Sequence, residues 1–263
     1  MNNELLIKFA KETEIPFSEN EIFPLGKGSN LLVSDEGASG IVLHFGRDMS
    51  EMRLLDEETI YCEAGASLAK LCSFALEKSL TGLEFAYGIP GSVGGAVFMN
   101  AGAYGGEIKE VILSAEHIDE NGERGVFEGD ALEMSYRHSV YGSKKYIITS
   151  AVFRLKKGDK AEIKAKMDEL LGKRFDKQPM DKPSAGSTFK RPEGAFASAL
   201  IDQCGLKGFT VGGAQVSEKH AGFVINKGGA TCADVLELIE RVQNKVKADT
   251  GFTLEPEVEI LEK

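Results

Sequence analysis

The sequence predicts an α+β protein in two parts, and three observations carry that prediction. Short β-like runs separated by turn residues crowd residues 22–64 and 111–155. Helical periodicity is concentrated after residue 159. The polar break "KKGDK", Lys156–Lys160, parts the two and gives a candidate boundary between domains 1–156 and 157–263.

In order, Asn3–Glu14 has helical spacing, with Leu5, Leu6, Phe9 and Ala10 on one side. Strands are expected at "IFPL", "NLLVS", "GIVLHF", "MRLLD" and "TIYCEA". Ser67–Ser79 reads as an amphipathic helix capped by Ser67, with Leu68, Leu71, Cys72 and Ala75 inward. A short helix is expected at "AVFMNA" after Gly95, then strands at "VILSAEHID", "RGVFEG" and "YIITSAVFRL". Beyond the break, helices are expected at "DKAEIKAKMDELLGKRFDK", at "AFASALIDQCG" with Gly205 as its stop, and at "CADVLELIERVQNKVKADTG". The stretch "TLEPEVEIL" reads as a closing strand, with Glu255, Glu257 and Glu259 on one face.

The chain has 263 residues and a formal net charge of −10, from 31 basic and 41 acidic side chains. An acidic surface repels phosphate backbones, which disfavours nucleic acid as a partner. The charged start holds no apolar stretch long enough for a signal peptide, and no apolar window reaches the ~20 residues of a membrane span. Cys62, Cys72, Cys204 and Cys232 are scattered, as are His44, His117, His138 and His220. This predicts free thiols in a reducing cytoplasm, and no metal site. The acidic charge points to a soluble monomer.

Thirty glycines make about 11% of the chain, against the usual ~7%. They are densest in "AYGIPGSVGGAVFMNAGAYGG", residues 86–106. Such a run suits two purposes: a loop whose N–H groups cradle a phosphate at a helix N-terminus, or tight turns packing backbone on backbone. Neither usual nucleotide motif fits. No G-x-x-x-x-G-K-[ST] occurs, and "GKGSNLL", Gly26–Leu32, lacks the third glycine of a dinucleotide fingerprint.

Six segments in order, "GKGSNLLVSDEG", "GLEFAYGIPGSVGGAVFMNAGAYGGEI", "YRHSVY", "PSAGSTFKRPEG", "VSEKHAGFVIN" and "LEPEVEIL", closely resemble the UDP-N-acetylenolpyruvoylglucosamine reductase family. The resemblance implies the two-lobed FAD-binding fold of the vanillyl-alcohol-oxidase type, with lobes of about 1–46 and 47–156. An α+β substrate domain would follow, its last strand rejoining the first lobe. It implies FAD and NADPH as cofactors and a UDP-sugar as substrate. Flavin contacts would come from Gly26, Gly28, Ser29, Asn30 and Leu31, from Gly88, Ile89, Pro90, Gly91, Ser92, Gly94 and Gly95, and from Asn100 and Ala101. Family members usually carry a glycine-bearing strand before the segment matching Glu4–Pro16, and a triple glycine where this chain has "GKGSN". Lys27 is expected to point to solvent.

The reaction implied is hydride delivery to C3 of an enolpyruvyl ether and protonation at C2. Arg137 would pair with the substrate carboxylate. Glu257 would be the second stabiliser, protonated or strongly hydrogen-bonded so as not to repel it. Ser187 would protonate C2, helped by Lys190 or backbone donors. Arg174 and Lys177 would meet the diphosphate, and His220 would line the pocket. No tyrosine lies in residues 156–182, so the chain resembles the short form without a clamping loop. Two other readings stay open: a different flavin oxidoreductase of the same fold, and a flavin- or UDP-sugar-binding relative without turnover.

Overall fold

Residues 22–143 and 146–261 are described by a computed structural model. The helix expected at Asn3–Glu14 lies outside them. Of these residues, 22–27 and 40–172 pack as one unit, and 28–39 with 173–261 as another.

The first unit is organised by an antiparallel five-stranded sheet. Its strand order is Arg124–Glu128, Ile112–Asp119, Tyr146–Arg154, Thr59–Glu63, Met52–Leu54. Tyr146–Arg154 is central, and its run of apolar and small residues is buried on both faces, from Ile147 to Ala151 and again at Phe153. Burying one such phenylalanine contributes about 2–3 kcal/mol. Helix α1, Leu68–Glu77, turns Leu68, Leu71, Cys72 and Ala75 into this core, as its spacing predicts. Ile22–Leu25 pairs in parallel with Ile41–His44 beside it.

Helix α2 spans Val93–Phe98, so it begins inside the glycine run rather than after it. Ser92 caps it, its Oγ accepting the Gly95 N–H at 3.3 Å. Close packing explains the early start: a Cβ on Gly94 would stand 2.9 Å from the Ala64 Cβ, and the Gly94 N–H donates to the Ala64 carbonyl at 2.8 Å. Helix α3 spans Lys160–Lys177. The polar break before it does not separate the units. Lys156–Lys157 pairs with Leu80–Thr81, and the Gly158 N–H bonds Ser79. Contacts instead part after Gly172, within α3.

The second unit holds a four-stranded antiparallel sheet, ordered Ser184–Ser187, Phe223–Asn226, Ala214–Val216, Thr210–Val211. None of these strands is signalled by the sequence pattern, because each has only two to four residues and glycines flank them. Helices α4, Ala197–Gln203, and α5, Cys232–Thr250, complete the unit. Leu238, Ile239, Val242 and Val246 of α5 share a core with Leu200, Ile201, Val216 and Val224. α5 opens with a reciprocal cap between Thr231 and Asp234 and closes at Gly251, φ 80°. The Asp35 carboxylate adds two bonds, from the Cys232 and Ala233 N–H groups.

The closing segment is not one strand. Only Glu259–Leu261 is, paired in parallel with Leu31–Val33. Pro256 lacks an N–H and interrupts the run. It crosses Phe189 as an isolated antiparallel bridge instead.

Candidate functional site

In the first unit, the glycine run meets Gly26 and Lys27. A Cβ on Gly26 would run into the Ser92 hydroxyl. Ser67, the N-cap residue of α1, bridges to Ser92, and Lys27 Nζ donates to Ser67 Oγ at 3.0 Å. Lys27 is exposed, as expected, and its ammonium also rests on the start of α1 beside the loop. Ile89 donates to the Ala86 carbonyl, Val93 to Ala66, and Gly91 accepts from Leu68. Among the described residues, no acceptor meets the N–H of Gly91 or of buried Ser92. Two such donors beside an ammonium and a helix start suit an anion with several oxygens. Gly88 and Pro90 precede them in the same turn. The glycines thus divide by purpose. Gly94 and Gly26 are small because protein atoms leave no room, and Gly91, φ 159°, sits in the turn itself.

Asn100 and Ala101 end α2. Asn100 is fully enclosed, and its carboxamide is engaged by protein. Nδ2 donates to the Ser135 carbonyl at 2.8 Å and to Glu107 Oε2 at 3.1 Å, and Oδ1 accepts the Lys109 N–H at 2.9 Å. Ala101 is buried, its backbone bonded to Ala96 and Ile108. Arg137, half-buried, donates from Nη2 to the Gly102 carbonyl at 3.3 Å and lies 5.0 Å over the Tyr136 ring. The Glu107 carboxyl is held below its ordinary range, chiefly by its hydrogen bond from Lys109 and then by the bond from Asn100.

In the second unit, the crossing at Phe189 and Pro256 draws two predicted residues together. The Lys190 N–H donates to the Glu255 carbonyl and the Glu257 N–H to Thr188, both at 2.8 Å. This sets the backbone of Glu257 beside that of Ser187–Thr188. Asn30 Nδ2 donates to the Glu257 carbonyl at 3.0 Å, so Gly28–Leu31 converges there too, with Gly28 at φ 63°. Glu257 stands at the joint between two pairings, one to residues 188–190 and one to residues 31–33.

Ser187 pairs with Phe223 and follows Gly186, φ 81°. Thr188 locks this corner, donating from its N–H to Gly222 and accepting at Oγ1 from Val224. His220 packs edge-on against Phe223, 5.0 Å between ring centres, and its Nδ1 accepts the Gly222 N–H at 3.2 Å. That bond assigns the proton of the neutral ring to Nε2. Burial holds the His220 pKa below its ordinary value, and the charges of Lys207 and Lys177 add to the effect. Lys177 ends α3, and buried Arg174 one turn before it donates to Gln178 Oε1. Lys190 pairs with Glu255 at 3.8 Å, at the surface, and no described bond joins it to Ser187.

The structure thus gathers Ser187, His220, Glu257 and Asn30 in one unit, and Gly26, Gly91–Gly95, Asn100 and Arg137 in the other. Sequence reasoning named Ser67 only as a helix cap, a bond its side chain does not make, and passed over Glu107. A serine at a helix start and one acid in the glycine-rich "GGEI" were the available signals. Cys62 and Cys72 are buried, and burial pushes the Cys62 thiol up to about 12. Among the described residues, no cluster of His, Cys, Asp and Glu could hold a metal, and no helix is long and apolar enough to cross a membrane.

Comparison with known proteins gives a consistent answer. Residues 4–126 match the family described as FAD binding domain. Residues 178–261 match the family described as UDP-N-acetylenolpyruvoylglucosamine reductase, C-terminal domain. The UDP-N-acetylenolpyruvoylglucosamine reductase of Agathobacter rectalis is 51% identical over 267 residues, covering 97% of this chain and 83% of that protein. The protein of that name from Caldanaerobacter subterraneus is 48% identical over 258 residues, covering 97% and 82%. Among solved structures, the UDP-N-acetylenolpyruvylglucosamine reductase of Thermus caldophilus superposes with a TM-score of 0.83 at 36% identity, covering 98% of this chain and 89% of that one.

Proposed function

Because the chain belongs to the UDP-N-acetylenolpyruvoylglucosamine reductase family, we propose how its residues divide the work of an NADPH-dependent, FAD-mediated reduction of UDP-N-acetylglucosamine enolpyruvate to UDP-N-acetylmuramate. The protein is an FAD-dependent oxidoreductase of peptidoglycan precursor synthesis. Bound FAD supplies the redox chemistry, carrying hydride equivalents from NADPH to the enolpyruvyl double bond. The Gly91 and Ser92 N–H groups, with Lys27 beside them, would hold the flavin diphosphate, and Gly26, Gly28–Leu31 and Gly88–Gly95 would shape its bed.

Arg137 binds the enolpyruvyl carboxylate. Its planar guanidinium can meet both oxygens at once and stabilise the negative charge that grows there as C3 is reduced. Glu257 stabilises the same group and helps orient it. The Ser187 Oγ–H gives its proton to C2. A serine hydroxyl is a weak acid, so the carbanion character at C2 must drive the transfer, and the corner locked by Thr188 keeps the hydroxyl in place. Lys177 and Arg174 meet the UDP diphosphate, with Lys190 as a further cation, and His220 lines the pocket as a neutral ring. We place the enzyme in the cytoplasm as a monomer, in keeping with its free thiols and acidic surface.

The observation that carries these roles is the Phe189–Pro256 crossing, which brings Ser187 and Glu257 to one corner. The test is an anaerobic titration followed by visible absorbance. Bound flavin should bleach with NADPH and recover on adding the enolpyruvyl UDP-sugar. Flavin that bleaches but recovers only with oxygen would mean a different oxidoreductase or a relative without turnover.

A further inference from the structure

Among the described residues, five non-glycine positions have positive φ, and three of them meet at one small hairpin: Asn100 (44°), Tyr104 (54°) and Arg137 (54°). Each such conformation is costly for a residue with a side chain, so the surrounding structure must hold it. Gly102–Ala103 pairs with Gly106–Glu107, and Tyr104–Gly105 makes the turn. Arg137 is the second residue of another two-residue turn, closed by two 3.1 Å bonds between Ser135 and His138.

Asn100 ties these turns together. One Nδ2 hydrogen holds the Ser135 carbonyl, where the Arg137 turn begins, and the other holds Glu107, the last residue of the hairpin. The guanidinium of Arg137 rests on Gly102, which pairs with Glu107 across that hairpin. Both the backbone and the charged end of Arg137 are therefore referred to the element that Asn100 fixes. With both amide hydrogens bonded to protein and no exposed surface, the Asn100 side chain offers no donor to a ligand.

We infer that Asn100, together with Glu107, is a positioning residue for Arg137, setting where its guanidinium meets the substrate carboxylate, and that its side chain does not bind the cofactor. This rests on the role given to Arg137 above. Asn100→Asp keeps size and tolerance of the left-handed backbone, but turns an acceptor toward Ser135 and Glu107. In anaerobic stopped-flow measurements, NADPH reduction of the flavin should stay within about twofold of the parent enzyme. Reoxidation by the enolpyruvyl UDP-sugar should slow at least about tenfold. In an Arg137→Ala background, the same change should cost less than about twofold, because residues acting as a unit are not additive. Calorimetric affinity for the UDP-sugar should show the same non-additivity.

Loss of bound flavin, or equal slowing of both half-reactions, would overturn the inference and return Asn100 to the cofactor. Full additivity would overturn it by making Asn100 independent of Arg137. Parent-like reoxidation in Arg137→Ala would instead remove the premise, the role of Arg137 itself, and the inference with it. Should Asn100→Asp not fold, Glu107→Gln takes its place in the same cycle, and the same results support or overturn the inference.

Discussion

The two units build their sites from opposite materials. In the first, the proposed site is mostly backbone: N–H groups of a glycine-rich turn, with the Lys27 ammonium beside them and a guanidinium resting on a carbonyl. In the second, it is side chains: a hydroxyl on a short strand, a carboxyl and an imidazole on the segments beside strands, and a helix-end ammonium. Each unit is vulnerable in its own way as a result. A backbone site is damaged by adding atoms, because bulk displaces the chain. A side-chain site is damaged by removing them, because chemistry is lost while the fold survives.

Ser187→Ala puts this contrast under the greatest strain. It removes one oxygen from the second unit. Reoxidation by the UDP-sugar should fall about 10³-fold with NADPH reduction nearly unchanged. Equal slowing of the two half-reactions would make Ser187 structural and move the proton donor elsewhere. Next in size is Gly94→Ala, which adds one carbon to the first unit. With the Ala64 Cβ only 2.9 Å from the new atom, it should destabilise by about 1–3 kcal/mol, read as a lower melting temperature and weaker flavin retention. An unchanged melting temperature would show that the turn can yield, and the contrast between the units would fail.

A smaller effect concerns pH. His117 is buried against Phe127, 4.4 Å between ring centres, and its Nδ1 lies 3.2 Å from the Tyr141 hydroxyl. Burial lowers its pKa. The unfolded chain therefore takes up a proton below about pH 6.5 that the folded one resists. The resulting stability is present above that pH and is lost as pH falls toward the folded value. His117→Phe keeps the stack and should flatten this loss between pH 7 and 5, leaving the share due to His220. Identical melting profiles for the two proteins would exclude the burial of His117 as a cause. Smallest, and opposite in sign, is Gly172→Ala inside α3. Nothing lies within 4 Å of a new Cβ there, so the change should stabilise by about 0.5–1 kcal/mol. Together the two glycine variants separate a glycine required by packing from one that is not.

How much of this was legible follows the same division. The inward face of α1 and the length of α5 up to its stop at Gly251 could be read directly, because helical periodicity and a glycine stop are local. The strands of the second unit could not, because residues such as "SAGS" and "AQV" carry no alternation and owe their extended form to partners distant in sequence. The segment ending in Leu261 looked like one strand because Leu254, Val258 and Ile260 alternate with acids, yet Pro256 splits it. The motif residues could be listed from the sequence, but not their engagements: Asn100 held by three protein bonds, and Lys27 resting on Ser67.

The joint at Glu257 also sets an order of assembly. Its partner Asn30 is 227 residues earlier in the chain, and the strand that follows Glu257 pairs with the one that follows Asn30. A ribosome makes Leu31–Val33 long before it makes Glu259–Leu261. Residues 40–172 can pack while synthesis continues, but Leu31–Val33 must wait until Glu259–Leu261 has emerged. The corner where Ser187 and Glu257 meet then takes shape only after residue 257 has emerged, so a nascent chain interrupted before it would have the first unit packed and that corner unmade.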